Sequence, residues 1–238
     1  PRLAAWRALV EASRPDGPAG QETLDRLAQA TRLNPLDRAL AYEIAQGVWR
    51  RRRLLDAAFR HLDNFRMAEV DPALLELLRV GAYQALYLDR VPDHAAVGET
   101  VDAAKRILGP RPAGFVNAAL RALLARFPNR AADLEPIAAA LPIEDRLSFP
   151  GWCVRLVKRT VGPDRLEAAL DAMNRPLPVR LRARGDGDAV ARVVAELREA
   201  GLHATPQPNL APACIECACA ASDLAASPAF ARGAATVQ

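Results

Sequence analysis

The stretch DPALLELLRVGAYQALYL, residues 71–88, decides how the first half of this chain must fold. Asp71 is suited to cap a helix, and Pro72 falls at the first helical position, where its missing N–H costs nothing. The residues that follow are apolar on most faces. A helix of that kind needs neighbours on every side, as a central core helix has. The flanking sequence supplies them. Upstream, NPLDRAL repeats the start signal with Asn34 as cap, Pro35 at the first position and Asp37 in the first turn, where a carboxylate suits the helix dipole. Ile44, Val48 and Trp49 continue that helix. Leu54, Leu55, Ala58, Phe59 and Leu62 make a second stripe, so a junction between helices is expected near residues 50–53. Further upstream, Leu3, Trp6, Leu9 and Val10 share one helical face. Downstream, Pro92 opens DHAAVGETVDAAKRIL, and RPAGFVNAALRALLARF sets Phe115, Ala119, Leu123 and Phe127 on one side of another helix. About seven helices with short loops and no strand-like alternation predict an all-α bundle over residues 1–130.

The composition then shifts. PNRAADLEPIAAALPIEDRLSFPGW holds four prolines, at 128, 136, 142 and 150, and is expected to be a linker with a short helix inside. Two further helices are expected near 151–160 and 163–173, which completes a linker and helical segment over 131–175. Val179, Leu181 and Ala183 alternate with Arg180, Arg182 and Arg184, the period of a half-buried strand. DAVARVVAELREAG is an amphipathic helix ended by Gly201. HATPQP and CIECACA can be short strands, and the closing GAATVQ reads as the start of another. Residues 176–238 are therefore expected to form a small α+β unit. The fold class expected for the whole chain is mainly α.

Half of the 238 residues are apolar (51%) and a quarter charged (25%), an ordinary globular composition. The net charge of +4 suits a nucleic-acid partner without demanding one. Only Lys105 and Lys158 are lysines, so arginine placement says more than arginine number. Between Gln46 and Arg66, six arginines face two aspartates, an excess equal to that of the whole chain. No apolar run approaches the roughly 18 residues that span a bilayer. The N-terminal stretch is an amphipathic helix without a signal-peptide core, so a cytoplasmic protein without membrane attachment is expected. The chain starts without methionine and is expected to be a piece of a longer protein.

LDRALAYEIAQGVWRRRRLLD, LLRVGAYQALYLDRVPDHAAVGETVDAAKR and GFVNAALRALL together resemble the NusB-like domain at the front of the bacterial 16S rRNA (cytosine-C5) methyltransferases of the RsmB family. VPDHAAVGETV followed by GFVNAALR is the most specific part. SFPGWCVRLVKRTVGPDRLEAALDAMNRPLPVRLRA is similar to that family's segment before its methyltransferase domain, and PAFARGAATVQ to the last residues ahead of it. Ala183 stands where the family usually has Asn, and Phe149 where it commonly has His, so fine contacts at those two places are expected to differ. The resemblance implies an RNA-binding N-terminal portion that positions 16S rRNA for a Rossmann-like domain. That domain would bind S-adenosylmethionine and supply the cysteine nucleophile. These residues contain no Pro-Cys motif and no Gly-rich turn of that domain, so no catalytic residue and no cofactor are assigned to them. Two other readings remain open. One is a stand-alone antitermination module that binds RNA with a ribosomal protein. The other is a helical protein-interaction scaffold.

The candidate RNA-binding residues fall in three groups. Arg50, Arg51, Arg52 and Arg53 point about 100° apart on a regular helix and need a splayed junction to reach one phosphate backbone. Guanidinium groups suit phosphate because their planar fork binds two oxygens. The bland reading pairs them with Asp56, Asp37 or Glu43. A second group is Lys105, Arg106, Arg111, Arg121 and Arg126, on or beside the last helix of the bundle; its alternative is a solubilising face. The resemblance adds the first helix, with Arg2 and Arg7. Cys214 and Cys217 have the C-x-x-C spacing of a zinc site, yet no second pair exists, and only His203 and Cys153 are left as further ligands. On a strand those two cysteines face opposite ways, so buried thiols and no metal are expected. His94 is expected to bind backbone at a helix entry with Asp93 as its cap. RGDGD, 184–188, is expected to be a turn and cap, and Tyr83 and Tyr87 to be packing.

Overall fold

Every residue from Glu76 to Leu86 is buried, in the middle of the helix α4 (Pro72–Tyr87) that opens after Asp71. The Asp71 carboxylate accepts hydrogen bonds from the backbone N–H groups of Ala73 and Leu74 at 2.9 and 3.1 Å, the expected cap. The computed structural model describes residues 1–14, 16–18, 20–175, 178–185, 188–219, 224 and 226–237. The chain divides into two compact units, Pro1–Asn174 and Arg175–Gln238.

In the first unit, α4 packs against α1 (Arg2–Ala12), α3 (Pro35–Arg60), α5 (Asp93–Leu108) and α6 (Pro110–Arg126). Helix α2 (Gly20–Ala30) lies against α1 and α3. The core includes Leu9, Leu24, Ile44, Leu55, Phe59, Leu77, Leu120 and Phe127. Three expectations about this bundle change. First, α3 is one unbroken helix of 26 residues, so no junction lies at Arg50–Arg53. The reason is local: arginine and leucine are good helix formers, and nothing in WRRRRLLD interrupts the ladder. Second, the buried face of α1 is Ala4, Ala5, Ala8 and Leu9, while Leu3 is exposed and Trp6 half-buried. Small side chains let α1 approach α3 and α4 closely. The Trp6 ring stays at the edge, where its indole N–H donates to the Ala73 carbonyl at 2.8 Å. Phe115 is also exposed rather than in the core, in stacked contact with Phe65 at 5.9 Å between ring centres.

Residues 130–174 belong to this unit. They form the 3₁₀ turn 130–134 and the helices α7 (Glu135–Ala140), α8 (Ile143–Arg146), α9 (Gly151–Val161) and α10 (Leu166–Asn174). Leu134 and Ala138 are buried in the same core, so this proline-rich stretch is packed chain. Helix α10 starts at Leu166, after a turn that contains Pro163.

The second unit runs β1 (Val179–Ala183), α11 (Ala189–Glu199), β2 (His203–Pro206), β3 (Cys214–Ala218), α12 (Pro228–Ala231), β4 (Ala235–Val237). Its sheet has the order β2-β3-β1-β4, with every neighbouring pair antiparallel. This is the split βαβ arrangement of ferredoxin-like folds. Leu181, Val193, Leu197, Ala204, Ile215 and Cys217 form its core. The alternation of 179–184 places Leu181 and Ala183 inward and Arg180 and Arg182 outward. Within RGDGD, positions 186 and 187 lie outside the described residues. Asp188 makes no side-chain cap to α11, and Gly201 closes that helix with φ +78°.

Candidate nucleic-acid interface

The α5–α6 hairpin is built by one local signal. Gly109 takes φ +92°, a conformation few other residues tolerate, and Pro110 then starts α6. Just before the break, Lys105 and Arg106 occupy the last turn of α5, where cations offset the exposed carbonyls. Three consecutive residues there open onto three different clefts. Lys105 lines a cleft of about 320 Å³ between α5 and α6, shared with His94, Gly98, Asn117 and Arg121. Arg106 lines a smaller one of about 110 Å³, with Arg2 and Glu99. Ile107 lines a groove of about 500 Å³ against α1, with Trp6, Arg7 and Arg14. Arg111 stands exposed on the first turn of α6. The fold thus brings Arg2, Arg7, Lys105, Arg106 and Arg121 into the walls of three clefts along α5.

Their commitments differ. Arg2 is mostly covered; its Nε donates to Gln84 Oε1 at 2.6 Å, and its Nη1 lies 3.4 Å from Glu99. Arg7 lies 3.7 Å from Glu11 and is well exposed. Lys105 pairs with Asp102 at 3.4 Å with both side chains about 60% exposed, a pairing worth at most about 1 kcal/mol. Arg121 donates to Asn117 Oδ1 at 3.0 Å. Arg106 and Arg111 have no hydrogen-bond or ion-pair partner among the described residues. Arg126 lies apart from these clefts, over the Phe127 ring at 5.4 Å. His94 is an exposed wall of the α5–α6 cleft and makes no hydrogen bond to backbone among the described residues. Asp93 does not cap α5 with its side chain. It accepts from Arg130 at 2.8 Å, because that guanidinium reaches it from the turn after α6.

Arg50–Arg53 leave the unbroken helix α3 in separate directions. Arg50 donates to Gln46 at 3.2 Å. Arg51 lies over the Tyr87 ring at 4.3 Å. Arg52 pairs with Glu76 and donates to Ser13. Arg53 pairs with Asp145 at 2.9 Å, while its backbone N–H donates to Ser148. None of the expected acidic partners is used. Asp56 is instead buried against Arg79, which grips both of its oxygens at 2.7 and 2.8 Å and also donates to Glu76 at 2.8 Å. Burial alone pulls the Arg79 guanidinium down, but the Asp56 hydrogen bonds and the charges of Glu76 and Asp56 leave it raised. Arg52 is lowered, since burial outweighs its attraction to Glu76. This network links α3 to α4. Its only sequence signal is a Glu and an Arg inside an otherwise apolar helix, which calls for a buried partner.

Tyr83 donates to Glu43 at 2.6 Å and stacks on Tyr87 with ring centres 5.4 Å apart. Burial, then that hydrogen bond, pushes the Tyr83 phenol above its ordinary value. Cys214 and Cys217 are buried in β3, and among the described residues no group of three or more His, Cys, Asp or Glu gathers to hold a metal. No helix of the described residues is long and apolar enough to cross a membrane. One basic surface is absent from the three expected groups: the exposed face of α9, with Trp152, Arg155, Leu156 and Arg159 at helical spacing. Its signal is legible in the sequence as eleven residues that contain no Asp or Glu.

The model of the NusB family matches residues 1–125. A protein named ribosomal RNA small subunit methyltransferase B from Vibrio cholerae serotype O1 is 33% identical over 214 residues, 89% of this chain and 46% of that protein. Proteins of the same name from Xanthomonas campestris pv. campestris and Pseudomonas putida are 34% and 33% identical, over 86% of this chain and 43% and 45% of their own length. The chain spans less than half the length of these curated relatives. Among solved structures, the crystal structure of PH0851 is similar with a TM-score of 0.62, at 18% identity, over 99% of this chain and 53% of that one, a likeness of fold.

Proposed function

This chain belongs to the NusB family, and on that premise we propose that it is the RNA-gripping portion of a 16S rRNA cytosine-C5 methyltransferase. The reading is supported by similarity that continues well past residue 125, over 206–214 residues, to relatives named as methyltransferases of small-subunit ribosomal RNA. That reach favours it over a stand-alone antitermination module. The observation that carries the RNA role is the surface along α5, where Lys105 and Arg106 share three adjoining clefts with Arg2, Arg7 and Arg121. Arg106 and Arg111 are free to take phosphate oxygens directly. Lys105 and Arg7 give up only weak surface pairs to do so. Phosphate contacts of this kind set affinity and register, and they leave base identity to other groups. Arg50–Arg53 and Arg126 make a second, weaker contribution, because each guanidinium of that row already has a partner to leave.

S-adenosylmethionine would belong to the part of such a protein that matches nothing in this chain. The residues present do not fit it. Nucleotide-like cofactors bind in the crevice at the carboxyl ends of parallel strands, and the sheet here is antiparallel throughout. A protein with this task works on ribosomal subunits in the cytoplasm. A fragment of 16S rRNA titrated with the chain and with Lys105→Gln/Arg106→Gln/Arg121→Gln tests the proposal. The triple variant is expected to bind more weakly, with the slope of log K against log salt flatter by roughly two to three units. Equal slopes and equal affinity would remove this corner from the RNA interface.

A further inference from the structure

Helix α9 carries Trp152, Arg155, Leu156 and Arg159 at positions i, i+3, i+4 and i+7, so they form one stripe. With Lys158 and Pro163 they line an open groove of about 610 Å³. Trp152 is 63% exposed and Leu156 48%, and Val154 is the buried residue of the helix. Arg155, Lys158 and Arg159 have no hydrogen-bond or ion-pair partner among the described residues. This differs from the end of α5, where Glu99 and Asp102 sit among the cations. An exposed indole costs free energy in water unless something covers it, and three unneutralised cations beside it set the sign of that cover. A protein surface would need an acidic rim to match. A nucleic-acid strand offers both halves at once: a base to lie on the ring and phosphates for the cations. From Trp152 to Arg159 the stripe is about 10 Å long, enough to meet one base and the phosphates on either side of it.

The geometry points to α9 as a second RNA site, specific for unpaired nucleotides, with one base stacked on Trp152 and flanking phosphates held by Arg155, Lys158 and Arg159. The inference rests on the RNA-binding reading above and adds to it a strand class. The surface along α5 takes folded RNA by its backbone; α9 takes a splayed, single-stranded segment. Leu156 contributes apolar contact to the ribose or base edge next to the stacked ring.

The test uses the 238-residue chain, a fluorescein-labelled uridine 12-mer as unpaired RNA, and a 16S rRNA hairpin as folded RNA, with anisotropy as the readout. Trp152→Leu should weaken binding of the 12-mer by about tenfold or more, the worth of one base–aromatic stack. Trp152→Phe should retain most of it, because a ring face remains. Arg155→Gln/Lys158→Gln/Arg159→Gln should flatten the salt slope for the 12-mer by about two units. Trp152 is exposed, so these variants should keep the helical circular dichroism of the parent. If Leu and Phe at 152 behave alike, or the 12-mer binds all variants as it binds the parent, the inference is overturned and the face belongs to a protein neighbour. That result with hairpin binding still sensitive to Lys105, Arg106 and Arg121 would leave the proposed function standing. Loss of both would remove the two together.

Discussion

Gly47 shows how a single atom decides the packing of this bundle. A Cβ built there would lie 1.9 Å from Tyr83 Cζ and 2.3 Å from its hydroxyl, so the tyrosine ring occupies the space that any other residue would need. Helix propensity alone favours Gly47→Ala by about 1 kcal/mol. The overlap must instead push the ring off α3 and break its hydrogen bond to Glu43. A net loss of about 2 kcal/mol in urea denaturation is expected, and unchanged or raised stability would show that the ring can move at no cost. The same local logic singles out Arg106 and Arg111 in the proposed RNA surface. They are not the most basic stretch of the chain, but their guanidinium groups have no hydrogen-bond or ion-pair partner among the described residues.

At the scale of the element, the arginine row of α3 is governed by the helical period. Consecutive residues point about 100° apart, so four arginines meet four environments. Arg52 reaches inward to Glu76, a carboxylate that is 2% exposed. Arg53 meets Asp145 at a surface where both groups are more than a third exposed. Arg52→Ala should therefore destabilise the fold by about 1–3 kcal/mol, since it strips a charged hydrogen bond from a buried group. Arg53→Ala should cost less than about 1 kcal/mol. Thermal or urea unfolding of the two variants measures the difference. Equal effects would mean that the Glu76 contact carries no special weight. Helix α1 makes the complementary case. Of its large apolar residues only Leu9 is buried; Ala4, Ala5 and Ala8 supply the rest of the inner face, and their small side chains allow close approach to α3 and α4.

At the scale of the whole molecule, two separate cores divide the chain. The cluster around Leu77, Phe59 and Leu120 and the cluster around Leu181, Leu197 and Ile215 share no residue. Each unit buries its own apolar face, so each has its own source of cooperativity. Residues 1–174 expressed alone are expected to keep strong helical circular dichroism and a single cooperative urea transition. Aggregation or a gradual, non-cooperative loss of signal would show that the second unit is needed to complete the first.

What the sequence determined by itself is everything that depends on near neighbours along the chain. The caps at Asn34 and Asp71 and the strand alternation of 179–183 are all local, and each is observed. A mainly α chain with a small α+β unit follows from them. Four consecutive arginines could be seen, but not what each of them holds. That depended on Glu76 and Asp145, which lie 24 and 92 residues away along the chain and meet α3 only after the bundle closes. The corner at the end of α5 is likewise a tertiary product, assembled from α1, α5 and α6. Hydrogen-bonded helices are specified within a few residues, whereas an ion pair or a cleft needs the packed core to bring distant side chains together.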